Sequence, residues 1–206
     1  MFLWNLETKI SVMKKAFVIT LIALFGISML VNAQTQVYPK ERIVTKFLGI
    51  PVDGTKNDMI QKLKNKGFKY DSTYDVLEGE FNGMDVSILI ATNNNKVYRI
   101  CVIDNHKCDE GQIKIRFNTL CQQFENNSKY ISISDFTLSD KEDISYEMSV
   151  HHKVYQASYY QFYSETDTDE EIENRLVWFT IYEQYGQYQI VIYYDNGYNQ
   201  ANGDDL

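Results

Sequence analysis

The sequence predicts an α+β domain: helices packed on one face of an antiparallel sheet, in two related units ordered α-β-β-β and then α-β-β-β-β. Three observations predict it. Two amphipathic helical stripes are spaced 54 residues apart, Met59 to Ile113. Runs of alternating apolar residues follow each stripe, separated by short Asn/Gly turns rather than by helices. A mature length of 173 residues suits one domain, or two small units that share a core.

The N-terminus sets the compartment. From Met13 the chain reads MKKAFVITLIALFGISMLVNAQ. Lys14 and Lys15 form a positive n-region, Ala16 to Val31 is an uncharged apolar run, and Val31-Asn32-Ala33 suits a cleavage site. That is the layout of a secretory signal peptide over 13–33, with Gln34 as the mature start. Residues 1–12, which contain Glu7, make a poor n-region and read as an upstream extension before the true start at Met13. No Cys follows the run to carry a lipid, and no second apolar segment follows to span a membrane. The expected location is therefore periplasmic or secreted.

The stretch GIPVDGTK, Gly49 to Lys56, has the glycine spacing of a phosphate loop. Thr55 precedes Lys56, the reverse of the required order, Pro51 lacks an N–H, and Asp53 puts negative charge where phosphates would sit. A helix start accounts for more of it. Thr55 is the N-cap, with Asp58 at the third helical position. Met59, Ile60 and Leu63 form an apolar face, and Gly67-Phe68 ends the helix at 66. Strands follow: VLEGEF and MDVSILIA joined by Asn82-Gly83, then VYRICVID after the turn NNNK. A second helix, 109–126, carries the stripe Ile113, Phe117, Leu120, Cys121 and Phe124. Four strand segments complete the chain: ISYEMSVH, VYQASYYQF, RLVWFTIYE and YQIVIYYD. The units run 46–108 and 109–206.

The segments FLGIPVDGTKNDMIQKLKNKGFKY and LEGEFNGMDVSILIATNNNKVYRI resemble a family of uncharacterised exported bacterial proteins. The likeness rests on the F-L-G-I-P-x-D-G turn, the K-G-F helix end and the F-N-G hairpin. The predicted layout is similar to the β-lactamase-inhibitor-protein fold and to small outer-membrane assembly lipoproteins, sometimes arranged in tandem. This resemblance implies a binding module with no catalytic residues to carry over. The absence of a lipidated Cys departs from the lipoproteins.

Charge is lopsided. The leader holds three lysines and one glutamate, so the mature chain carries −10 against −8 for the whole sequence. Residues 135–206 hold 15 of the acids and three of the bases. That disfavours nucleic acid and anionic lipid. No chemistry-bearing motif is present, and neither a metal nor a cofactor is expected. His151-His152, read on a strand, point to opposite faces and cannot chelate together. The run ETDTDEEIE lacks the glycine and the twelfth-position glutamate of a calcium loop and reads as a solvated acidic loop. Cys101, Cys108 and Cys121 match no zinc or disulfide pattern, and Cys121 belongs to the helix stripe.

Eleven of the sixteen tyrosines lie after residue 140. Both parities of the strand positions carry them, so a set of them is expected on the open face of the sheet. Tyr155, Tyr159, Tyr163, Tyr182, Tyr188 and Tyr193 are the candidate binding surface, with Trp178 as a core ring. The function expected is an exported, non-enzymatic binding module whose partner is a protein or glycan of the cell envelope. The alternatives are a hydrolase whose carboxylates meet only in the fold, and a structural envelope protein.

Overall fold

The computed structural model describes residues 42–201. The expected signal peptide, upstream extension and start at Gln34 lie outside the described residues. Four α-helices and ten strands form an α+β domain. A small hairpin, β1 (Lys46–Phe47) and β2 (Ile50–Pro51), comes first. It turns at Leu48-Gly49, both at positive φ. Then come α1 (Lys56–Lys64), β3 (Lys69–Asp71), β4 (Val76–Phe81), β5 (Met84–Asn93) and β6 (Lys96–Asp104). The second half is α2 (Glu110–Glu125), β7 (Tyr130–Ser134), α3 (Ile144–Val150), β8 (Gln156–Gln161), α4 (Asp169–Glu173), β9 (Leu176–Gln184) and β10 (Gln187–Asp195).

Eight strands make one antiparallel sheet, ordered β3-β4-β5-β6-β10-β9-β8-β7. Each half is thus a long helix followed by a four-stranded meander. The meanders join at their last strands, β6 against β10. The expected three-strand first unit gains β3, and the second gains β7; both are short edge strands, and the Ile131/Ile133 alternation of β7 spans only five residues. One expected strand is corrected: ISYEMSVH forms α3. Ile144, Tyr146, Met148 and Val150 fit a period of two, but Ile144 and Met148 fit i, i+4 equally well. Asp143 decides between them by capping the helix, its side chain accepting from Tyr146 N at 2.9 Å. His151 is consequently a helix C-cap beside Glu147, not a strand residue.

Local signals elsewhere hold. Thr55 caps α1, accepting from Asp58 N at 3.2 Å, and Phe68 N closes the far end on Leu63 O. Asp109 caps α2 in a reciprocal capping box with Gln112. Asn82-Gly83 and Asn94-Asn95 take the positive φ values that tight hairpins need.

Both long helices cover the same side of the sheet. Their stripes, Met59/Ile60/Leu63 and Ile113/Phe117/Leu120/Phe124, belong to one hydrophobic core. Across the sheet the core row reads Leu77, Ile88, Val102, Ile192, Phe179 and Ala157, each paired with the next. The segment before α1 straps onto this side. Phe47 packs its ring 4.9 Å from Tyr194 and 5.1 Å from Phe81. Buried Gln161 grips the strap like a strand, accepting from Lys46 N at 2.7 Å and donating to Lys46 O at 2.8 Å.

Candidate functional site

Half of the expected tyrosine surface is core. Tyr155, Tyr159 and Tyr188 are buried. Tyr159 stacks on Phe124 with ring centroids 4.5 Å apart, and burial pushes its phenol well above the usual range. Tyr163 is half-buried on the helix side, its ring between the Lys46 ammonium and the Arg175 guanidinium. Tyr182 and Tyr193 do lie on the open face, together with Tyr160 and Trp178. Trp178 is therefore corrected from core ring to half-exposed surface ring.

The open face has its own row across five strands: Leu89, Cys101, Tyr193, Trp178 and Ser158, each the cross-strand partner of the next. At its centre Trp178 and Tyr193 stack 3.9 Å apart, 17° from parallel. The Arg99 guanidinium lies 5.0 Å from the Tyr193 ring centroid and 5.5 Å from that of Trp178. Arg99 also makes a bidentate pair with Asp195, at 2.6 and 2.7 Å, and Trp178 Nε1 donates to Asp195 Oδ2 at 3.0 Å. The Asp195 carboxylate holds the Arg99 guanidinium's pKa above its ordinary value. Next to them, burial pushes the Cys101 thiol up to about 11, so it stays a thiol at neutral pH.

The buried carboxylates do not meet each other. Asp195 faces Arg99, Asp104 faces Arg116 with a closest contact of 3.0 Å, and Asp167 faces the fully buried Arg175 at 2.8 Å. Asp167, read as part of a solvated loop, is thus an internal ion-pair partner. Thr168 behind it caps α4. A cavity of about 470 Å³ opens on the helix side between Met84, Ile113, Arg116 and Ile190. The basic side chains around it have partners: Arg116 pairs with Asp104, Lys107 donates to Gln184, and the His106 ring lies 3.5 Å from the Asp85 carboxylate. Among the described residues no three His, Cys, Asp or Glu side chains gather as a metal site, and no helix is long and apolar enough to cross a membrane.

No family model, no curated protein and no solved structure matches this chain.

Proposed function

We propose that the chain is an exported, non-enzymatic binding module, and that a protein docks on the open face of its sheet. The carrying observation is the ordered Trp178–Tyr193–Arg99–Asp195 cluster at the centre of the face the long helices leave uncovered. Trp, Tyr and Arg are the residue types that dominate protein interfaces. Here they are held rigid before any partner arrives, which lowers the ordering cost of association.

The cluster favours a protein over a glycan. A sugar stacks on a free ring face, yet Trp178 and Tyr193 each spend one face on the other, and Arg99 lies beside the stack, close to both rings. Leu89, Tyr160 and Tyr182 flank them on the same face. The same property separates this reading from a hydrolase: Asp195 is consumed by Arg99 and Trp178. Export rests on Lys14-Lys15, the apolar run and Ala33, and intact mass showing a start at Gln34 would support it. The tandem helix-plus-meander arrangement is consistent with the inhibitor-protein resemblance, which itself implies a binder.

The test is site-specific photo-crosslinking in envelope fractions. A crosslinker replacing Tyr182 should capture a discrete protein; one replacing Ile115, exposed on α2, should not. Tyr182→Ala with Tyr160→Ala should abolish competition by the free module while its unfolding midpoint stays within a few degrees. Capture of the same protein from both positions, or specific retention on a glycan array, would overturn the proposal.

A further inference from the structure

The two edges of the large sheet are treated differently. β3 and β7 hold equivalent places, each the first strand of its meander and the outermost of the sheet. β3 has three residues and bears Lys69 and Asp71, a short charged edge of the kind that resists pairing. β7 has five residues, Tyr-Ile-Ser-Ile-Ser, with no charge and no proline. Ile131 and Ile133 stand 43% and 45% exposed. Six of the twelve exposed large apolar side chains among the described residues fall between Ile131 and Val154, which makes this the apolar end of the sheet.

The phase of the edge follows from its inner bonds. Phe162 N donates to Lys129 O at 2.8 Å, so Lys129 and Ile131 turn their backbone groups toward β8. By antiparallel alternation, Tyr130 and Ser132 turn theirs outward. The Tyr130 N–H is taken by Asn127 O at 2.9 Å. The Tyr130 carbonyl and both Ser132 groups are left facing a side on which no strand of the described residues lies.

We propose that β7 pairs antiparallel with β7 of a second copy of this chain, across a two-fold axis through Ile131. In that register Ser132 N–H donates to the Tyr130 carbonyl of the second copy, and the reverse. Ile131 then meets its own counterpart as a non-hydrogen-bonded pair, where side chains approach most closely. A closed two-fold contact needs a self-complementary patch. An uncharged strand with exposed Ile131 on the two-fold axis supplies one, since no like charges are brought face to face. The bulge between Ser132 and Ser134 ends the ladder, so the pairing is short and the dimer reversible. Each mature copy carries −10, and their mutual repulsion is screened by salt. Association therefore tightens as salt is raised.

Sedimentation velocity over a concentration series of the exported protein tests this. A monomer–dimer equilibrium is expected, tighter at 0.5 M than at 0.05 M salt. Ile131→Lys sets two ammonium groups opposite one another and should weaken dimerisation at least tenfold, with an unchanged thermal midpoint because the site is exposed. Ile131→Cys should form a disulfide-linked dimer in air, since cross-strand partners of this type have Cα atoms within disulfide reach. Ile115→Cys on α2 should not. Three results overturn the proposal: a monomer at every concentration, a dimer indifferent to Ile131→Lys, or equal cross-linking from both cysteines. Equal cross-linking would also assign any dimer to another surface.

Discussion

Replacing Arg99 with alanine tests whether the central cluster of the open face is held by charge pairing. The Asp195 side chain is only 2% exposed and accepts three hydrogen bonds, two from Arg99 and one from Trp178 Nε1. Removing Arg99 leaves a buried carboxylate with one neutral donor. Breaking a fully buried pair costs about 3–5 kcal/mol; Arg99 keeps 27% of its side chain in water, so about 2–4 kcal/mol is expected here. Adding Asp195→Asn removes the orphaned charge and should recover about half of that loss, because an amide is far cheaper to bury than a carboxylate. The readout is built in. The chain's two tryptophans are Trp4 and Trp178, so a protein expressed from Gln34 carries Trp178 alone. Its fluorescence in urea reports both global unfolding and the loss of its own stack on Tyr193. A cost below about 1 kcal/mol for Arg99→Ala, within the range of an exposed pair, would refute the reasoning. So would a double variant no more stable than the single one.

Other outcomes follow from the same geometry. Thr55→Ala should cost about 1 kcal/mol in chemical denaturation by uncapping α1, while Lys56→Ala, which breaks only the exposed pair with Asp75, should cost little. Gly79→Ala should cost about 1–3 kcal/mol by the same measurement, since a Cβ there would lie 2.6 Å from the buried Phe68 ring. Tyr159→Phe should be neutral or stabilising by about 1 kcal/mol, because the hydroxyl is buried beside Cys121 and Asp135 without an aligned partner; a loss of that size would show that one of them bonds it. Burial raises the phenol pKa of Tyr155, Tyr159 and Tyr194. Their contribution is thus fully present below the unfolded value near 10 and is lost as pH rises toward the folded values, at about 1.4 kcal/mol per pH unit for each. Tyrosinate absorbance should then appear together with cooperative alkaline unfolding, not as an independent titration before it.

What was legible in the sequence had a local cause. Thr55 and Asp109 cap their helices through their own side chains, Asn82-Gly83 turns through its own backbone, and the stripe from Ile113 to Phe124 needs only a helical period. What stayed hidden depended on partners distant in the chain. β3 is too short to show alternation, the Ile-Ser-Ile-Ser alternation of β7 is confined to a five-residue segment, and both strands exist because β4 and β8 offer them an edge. The Asp167–Arg175 pair lies inside an acidic run whose composition says surface, and only the buried guanidinium makes that aspartate internal.

The candidate site shows the same limit more sharply. On β9, alternation separates Val177, Phe179 and Ile181 from Leu176, Trp178, Thr180 and Tyr182, and both sets are apolar enough to be core. A period of two divides a strand into faces but does not say which face meets the helices. That choice is made by the helices. The stripes of α1 and α2 are aliphatic and phenylalanine-rich, and Tyr155, Tyr159 and Tyr188 join them because each ring adds area to a continuous apolar layer. Trp178 is excluded from that layer by its N–H, which finds an acceptor only in Asp195, across the strand pair on the opposite side. The helix stripes therefore fix the pleat by burying Val177, Phe179 and Ile181, and the Trp178–Asp195 bond satisfies the polar atom of the largest ring on the face that is left, with Tyr182 and Tyr193 beside it.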